Sequence, residues 1–357
     1  MNFKVSVKDI RRLQTLIFYL NCVLVAPWYN FYKKTIAKPK VAKFYGLVLI
    51  VARITATVYI IRLQIFQKIF DSAELSYSFI SVNIHFALLV LTLLTILKSS
   101  FLDTDKWKIL MSNFHHFDKN LDTQGNREMQ TFHFRFLLIL NIVFVASIVY
   151  ALTVWCSLLK ITVLQSFILG SVIDIYYEFL VVILLNTLIN NFGSRYRDLN
   201  TKLINSLQNY RLLGESIDLF NKMFAYQILL IILHCGLQAV GCLDVIYTLN
   251  LQFEGILIHN LSVLGLIIWC LAMIIIPIES SHQEIEKFLE LSCEIQHQAE
   301  EDSKEWEIST ILKDYAQNFK REFTADEFLK INKRLILSII GSVTTYFIIA
   351  VQFNSVH

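Results

Sequence analysis

The sequence predicts an all-α polytopic membrane protein of seven transmembrane helices. Its N-terminus is expected to be cytoplasmic, its C-terminus extracellular, and a layer of cytoplasmic helices to anchor the bundle. Three observations carry that expectation. The 357 residues are 55% hydrophobic and 17% charged, whereas soluble domains carry about 25% charged residues, and mean hydropathy is +0.53. Apolar windows approaching the roughly 20 residues needed to cross a bilayer recur along the chain. Lys and Arg gather in alternate connections. The same composition excludes a disordered chain. Ten Gly and three Pro exclude a collagen-like one, and a net charge of +3 gives no electrostatic footprint for nucleic acid.

Residues 1–43 read as a cytoplasmic N-terminus. The basic start, MNFKVSVKDIRR, resembles a signal peptide, but the apolar stretch after it holds Asn21, Pro27 and Trp28 and no small-residue cleavage site. Residues 13–29 are expected as a helix lying at the membrane interface. Seven windows follow as spans: 44–66, 75–97, 136–157, 163–189, 223–249, 255–278 and 335–353. The organisation expected is a six-helix ligand-binding region over 44–278 with helical cytoplasmic loops, anchor helices over 279–334, and a last helix with a short outer tail over 335–357.

Orientation follows from the basic residues. The segments 1–43, 98–135, 190–222 and 279–334 hold 28 of the 32 Lys and Arg, and the opposite loops hold Lys68 and Lys160 with Arg62 at a span's lip. Arg53 alone lies inside a span. This orientation is opposite to that of a G-protein-coupled receptor. The inner end of the third span also reads His133-Phe134-Arg135, with no acidic-Arg-aromatic triplet. The outer loops are eight, five and five residues long and the inner ones 38, 33 and 56, so an external ligand is expected to bind between helices. In 279–334, Ile285, Phe288, Leu289, Ser292 and Ile295 share one helical face, as do Ile308, Ile311, Leu312, Tyr315 and Phe319. Two readings stay open there: helices on the bilayer surface, or a packed layer that joins subunits.

The polar residues inside spans are few and costly. Asp174 and Glu178, four apart on the fourth span with Tyr177 beside them, either line a wet pocket or pair with Arg53. Asp244 and Tyr247 are expected to mark the outer end of the fifth span. His85, His234 and His259 are expected as hydrogen-bonding core residues, His259 being the best placed of them to touch ligand. Tyr150, Trp155 and Trp269 are candidate aromatic pocket walls or packing residues. The six cysteines lie within or beside spans or in an inner loop, and their placement predicts no disulfide. No metal-ligand spacing, haem pair, nucleophile-base arrangement or phosphate loop appears, so no metal, no cofactor and no enzyme activity are expected. A transporter is the rival class, but no half of the chain repeats the other.

The last span contains Thr345-Tyr346, five hydrophobic residues, then Gln352-Phe353, preceded by FTADEFLKINKRLILSIIGSVT. This resembles the C-terminal signature of insect gustatory receptors. Arg195-Tyr196-Arg197-Asp198-Leu199-Asn200 after the fourth span is a weaker likeness. The resemblance implies a tetrameric ligand-gated cation channel of the insect chemoreceptor superfamily. Its pore is built from the seventh helices, a cytoplasmic anchor holds the subunits together, and tastant binds in the outer half of each subunit. It further implies a plasma-membrane protein of chemosensory neurons, a homotetramer or a heteromer with related receptors, whose partners are a small-molecule tastant, permeant cations and the bilayer, with no G protein required. Phe347 stands where sugar-sensing members commonly carry Glu, which argues against the main sweet-taste branch. The sister class, insect odorant receptors, shares the topology.

On the last helix a stripe runs through Ser338, Ser342, Thr345, Ile349 and Gln352, polar but for Ile349, on a helix otherwise mostly apolar. It suits either close helix packing or a pore wall. As a pore wall, Ile349 forms the gate ring and Gln352 the narrow polar ring, with Ser342 and Thr345 below.

Overall fold

The computed structural model describes residues 20, 24–30, 35–36, 39–62, 75–121, 172–201, 207–248, 254–300, 303–318, 321–325 and 329–354, with positions 139, 141–143, 145–146, 149–150 and 153. Eight helices carry the described fold. They are α1 (Pro39–Arg62), α2 (Leu75–Leu97), α3 (Thr104–Leu121), α4 (Val172–Asn200), α5 (Leu207–Thr248), α6 (Glu254–Gln298), α7 (Lys304–Asn318) and α8 (Lys333–Asn354). A π-helical turn, Lys98–Leu102, joins α2 to α3. Helical positions at 139–153 fall within the third expected span; the rest of that span and residues 163–171 of the fourth lie outside the described residues.

Two small antiparallel hairpins qualify the all-helical expectation. Strand β1 (Tyr29–Asn30) pairs with β2 (Thr35–Ile36), and β3 (Thr324–Ala325) with β4 (Leu329–Lys330). The second hairpin uses the Phe-Thr-Ala segment, and it turns the chain between α7 and α8. Asn221 of α5 holds it in place: its Nδ2 donates to the Glu322 carbonyl at 2.8 Å, and its Oδ1 accepts from the Thr324 N–H at 3.2 Å.

Among the described residues, five helices are long and apolar enough to cross a membrane: Lys40–Val58, Val82–Leu102, Ile173–Asn200, Leu207–Ile246 and Asn260–Gln298. Their burial sets their places. Only 11% of the α1 window is buried, so its Val41, Phe44, Leu47 and Val51 face outward, where lipid satisfies them. The α4 window is 72% buried, which makes α4 the central post of the bundle. Its closest partner is α6, and Gly193 explains the approach: a Cβ there would lie 2.8 Å from Ser281 Oγ, and that hydroxyl donates to the Ile189 carbonyl at 3.2 Å.

The helices α5 and α6 have 42 and 45 residues, hence lengths of about 63 and 68 Å, roughly twice the bilayer core. The fifth and sixth spans therefore continue without interruption into the inner segments, and the boundary expected at 278/279 falls mid-helix. The inner halves pack around aromatic residues. Phe192 meets Phe114, Phe220 and Phe323 edge-on, and Tyr210 stacks on Phe288 at 4.4 Å. Ile285, Phe288, Ser292, Leu312 and Ala316 are buried there. The 279–334 segment is thus a packed layer within the chain rather than helices spread on a surface, although Ile311 of the expected face points outward.

Of the expected interfacial helix at 13–29, residues 20 and 24–29 are described. Leu20, Leu24, Val25, Ala26 and Tyr29 are buried in the main core, and residues 24–26 form a bend with Leu24 at φ 55°. Ser99 Oγ donates to the Leu24 carbonyl at 2.5 Å, and the Val25 N–H to the Leu20 carbonyl at 2.9 Å. An internal partner for these backbone groups lets the apolar segment sit inside protein instead of at the lipid surface.

Candidate functional site

Two carboxylates on α4 organise a polar cluster in the bundle. Asp174 is fully buried and receives Arg53 of α1 in a bidentate pair, Nε donating to Oδ1 at 2.8 Å and Nη2 to Oδ2. Glu178, one turn further, is paired with His234 of α5, whose Nδ1 lies 2.8 Å from Oε2. Of the two readings the sequence left open, Asp174 takes the pair with Arg53. Glu178 takes a partner that spacing alone did not suggest. Three helices, α1, α4 and α5, thus converge here. A buried charge persists in a low-dielectric bundle only when paired in this way.

Apolar walls flank the cluster. Tyr177, three residues from Asp174 on α4, is buried. Phe179 stacks between Tyr176 and Trp269, with ring centroids 6.3 and 5.3 Å apart. The Tyr176 hydroxyl lies 3.5 Å from the Asn141 amide. Tyr150 is 39% exposed. The side chains of His259, Tyr247 and Phe353 lie outside the described residues, as does Trp155. Asp244, expected at a wet helix end, is only 3% exposed. The fifth span ends where expected, at Thr248, and Asp244 lies on its buried side.

The last helix has two faces. Leu335 is buried, and Ile336, Ile339, Val343 and Phe347 are half-buried where α8 rests on α5 and α6. Ser338, Ser342, Thr345, Ile349 and Gln352 are all exposed, together with Leu337, Ile340, Tyr346 and Ile348. The polar stripe is therefore turned away from the helices of its own chain. Thr345 Oγ1 donates to the Gly341 carbonyl at 2.9 Å, and Thr344 Oγ1 to that of Ile340 at 2.8 Å, so both hydroxyls are satisfied within the helix.

Polar residues that the sequence did not single out fasten the inner layer. Lys98 is buried in the π-helical turn, and its Nζ donates to the Met223 carbonyl at 2.5 Å, with Asp103 at 3.6 Å and the Tyr226 ring at 5.6 Å. A lysine closing an apolar span five residues before an aspartate was the available signal. Arg195 bonds Asp118 at 2.8 Å and covers the Phe114 ring at 4.2 Å, while Arg197 and Asn200 both hold Glu284. The Arg195–Asn200 stretch thus clamps α4 to α3 and α6.

This arrangement, apolar helices running unbroken into an aromatic inner layer with a last helix displayed outward, has a counterpart among known proteins. The family model described as 7tm Chemosensory receptor matches residues 10–357. The chain belongs to this chemosensory receptor family. Its fold is similar to that of the insect olfactory receptor OR5 from Machilis hrabei in complex with eugenol, with a TM-score of 0.63 and 12% identity over 97% of this chain and 100% of that one. A second structure of the same Machilis hrabei olfactory receptor gives 0.61 and 13% over the same shares. No curated protein matches this chemosensory receptor. At such identity the likeness concerns the fold, and it agrees with a multi-pass receptor whose helices cross a membrane.

Proposed function

We propose that this chemosensory receptor is a tastant-gated, non-selective cation channel in which four chains surround a pore lined by α8. One observation carries the reading: α8 seats a single apolar face on α5 and α6 and presents Ser338, Ser342, Thr345, Ile349 and Gln352 outward. Such a stripe is at home against water or other copies of the same helix and is poorly matched to lipid. The gustatory assignment rests on Thr345-Tyr346 and Gln352-Phe353 in their spacing. A second reading, an odorant-type subunit, is favoured by the likeness to the Machilis hrabei olfactory receptor.

In this reading a small organic ligand enters from outside and reaches the region of Asp174, Tyr177 and Glu178, with Tyr150 and His259 as further contacts. The distribution of Lys and Arg supports an inner N-terminus and an outer C-terminus, and the receptor resides in the plasma membrane of chemosensory neurons without need of a G protein. The test is to express this chain alone in a cell lacking other chemoreceptors and record current during application of a tastant and odorant panel. Ligand-evoked cation current in the presence of a G-protein blocker is expected. Silence across the panel, with the protein at the cell surface and a current appearing only on co-expression of a related receptor, assigns it to an accessory subunit.

A further inference from the structure

We propose that Glu178, His234 and Cys235 form a binding site for a zinc-type divalent cation inside the helix bundle. A carboxylate oxygen, an imidazole nitrogen and a thiol sulfur from these residues all lie within 4.8 Å of one another. The three residues are 4%, 6% and 2% exposed, so the group is enclosed by protein rather than scattered over a surface. Two helices supply it, α4 giving Glu178 and α5 the other two. Cys235 is a free thiol.

The donor set selects the metal. Calcium and magnesium take oxygen ligands almost exclusively, whereas sulfur, nitrogen and one carboxylate oxygen are the set that zinc prefers. Tetrahedral zinc, with bonds of about 2.0 to 2.3 Å, holds its donors roughly 3.3 to 3.8 Å apart. The donors already lie within 4.8 Å of one another, and the His234–Glu178 contact of 2.8 Å must open slightly to admit the ion. Charge also balances. The carboxylate and a Cys235 thiolate cancel the two positive charges once the thiol proton has left, so the complex is neutral in a low-dielectric bundle. The neighbouring Asp174 is already neutralised by Arg53 and does not compete. Binding would tie α4 to α5 beside the aromatic wall of Phe179 and Trp269. The proposal is independent of the channel reading.

The experiment uses the purified, tag-free receptor in detergent, titrated with Co²⁺ and then with Zn²⁺. One Co²⁺ per chain is expected, with the absorption of a cysteine-thiolate-to-cobalt charge transfer that Zn²⁺ abolishes. Cys235→Ser should remove that absorption and weaken binding at least tenfold, whereas Cys242→Ser, a buried thiol away from the cluster, should bind as the parent does. X-ray absorption of the parent loaded with one Zn²⁺ needs no variant, and it should show a sulfur scatterer at about 2.3 Å. A first shell of nitrogen and oxygen alone, or charge-transfer absorption that survives Cys235→Ser, overturns the site.

Discussion

Asn186 of α4 supplies the hydrogen-bond donor that Pro277 of α6 lacks. In an uninterrupted helix the N–H of residue 277 would donate to the carbonyl of Met273, and proline has no N–H to give. The Asn186 Nδ2 donates to that same carbonyl instead, at 2.7 Å, and Asn190 in turn donates to Asn186 Oδ1 at 3.1 Å. A helix can therefore pass through Pro277 in the bundle interior without leaving a bare carbonyl.

That relationship makes a paired prediction. Asn186→Leu strands the Met273 carbonyl and should cost about 1 to 3 kcal/mol, read as a lower melting temperature of the detergent-solubilised receptor. Adding Pro277→Ala returns the backbone donor and should recover most of the loss. If the double variant melts no higher than Asn186→Leu alone, the amide and the proline are not coupled.

The Arg53–Asp174 pair should behave as a structural unit. Removing either partner leaves an unpaired buried charge, at a cost of about 3 to 5 kcal/mol, so Arg53→Met and Asp174→Leu should each lose surface expression. The two together should regain it. Normal expression of both single variants, with a raised activating concentration for Asp174→Asn, would instead make Asp174 a ligand contact.

Gly193 and Ser281 set the spacing of α4 and α6. A Cβ at 193 meets Ser281 Oγ at 2.8 Å, so Gly193→Val should destabilise by at least the 1 to 3 kcal/mol typical of overpacking, roughly stated. Gly193→Ala should be rescued by Ser281→Ala, with thermal stability as the measurement. Equal stability of Gly193→Ala and its double variant would show that the helices part freely here.

The outward stripe of α8 carries the pore prediction. Ile349→Ser puts a hydroxyl into an aliphatic ring and should give ligand-independent current, because a hydrophobic constriction closes by dewetting. Substitutions at Gln352 should shift reversal potentials under bi-ionic conditions while leaving apparent ligand affinity nearly unchanged. Parent-like resting current and reversal potential in both variants would place the conduction path elsewhere.

The five membrane-length helices among the described residues, the amphipathic faces of the inner segments and the Thr345–Phe353 signature were legible because each depends on residues near in sequence. Hydropathy summed over about 20 positions decides whether a segment suits a bilayer, and helical periodicity decides which residues share a face. So the sequence by itself determined a helical membrane receptor, and with it α8 as a helix bearing a polar stripe. It did not determine partners. Asp174 meets Arg53 across 121 residues, and Glu178 meets His234 across 56; with Arg53 and three histidines inside the spans, spacing along one helix could not choose among them. The same holds for Leu24 and its neighbours, which local composition assigns to an interface and the π-helical turn draws into the core. It holds also for Asp244, which lies on the buried side of α5 although it is only four residues from the helix end. Only the tertiary structure decided these, because burial and pairing are set by what other helices bring to a point, and that information is spread over the whole chain.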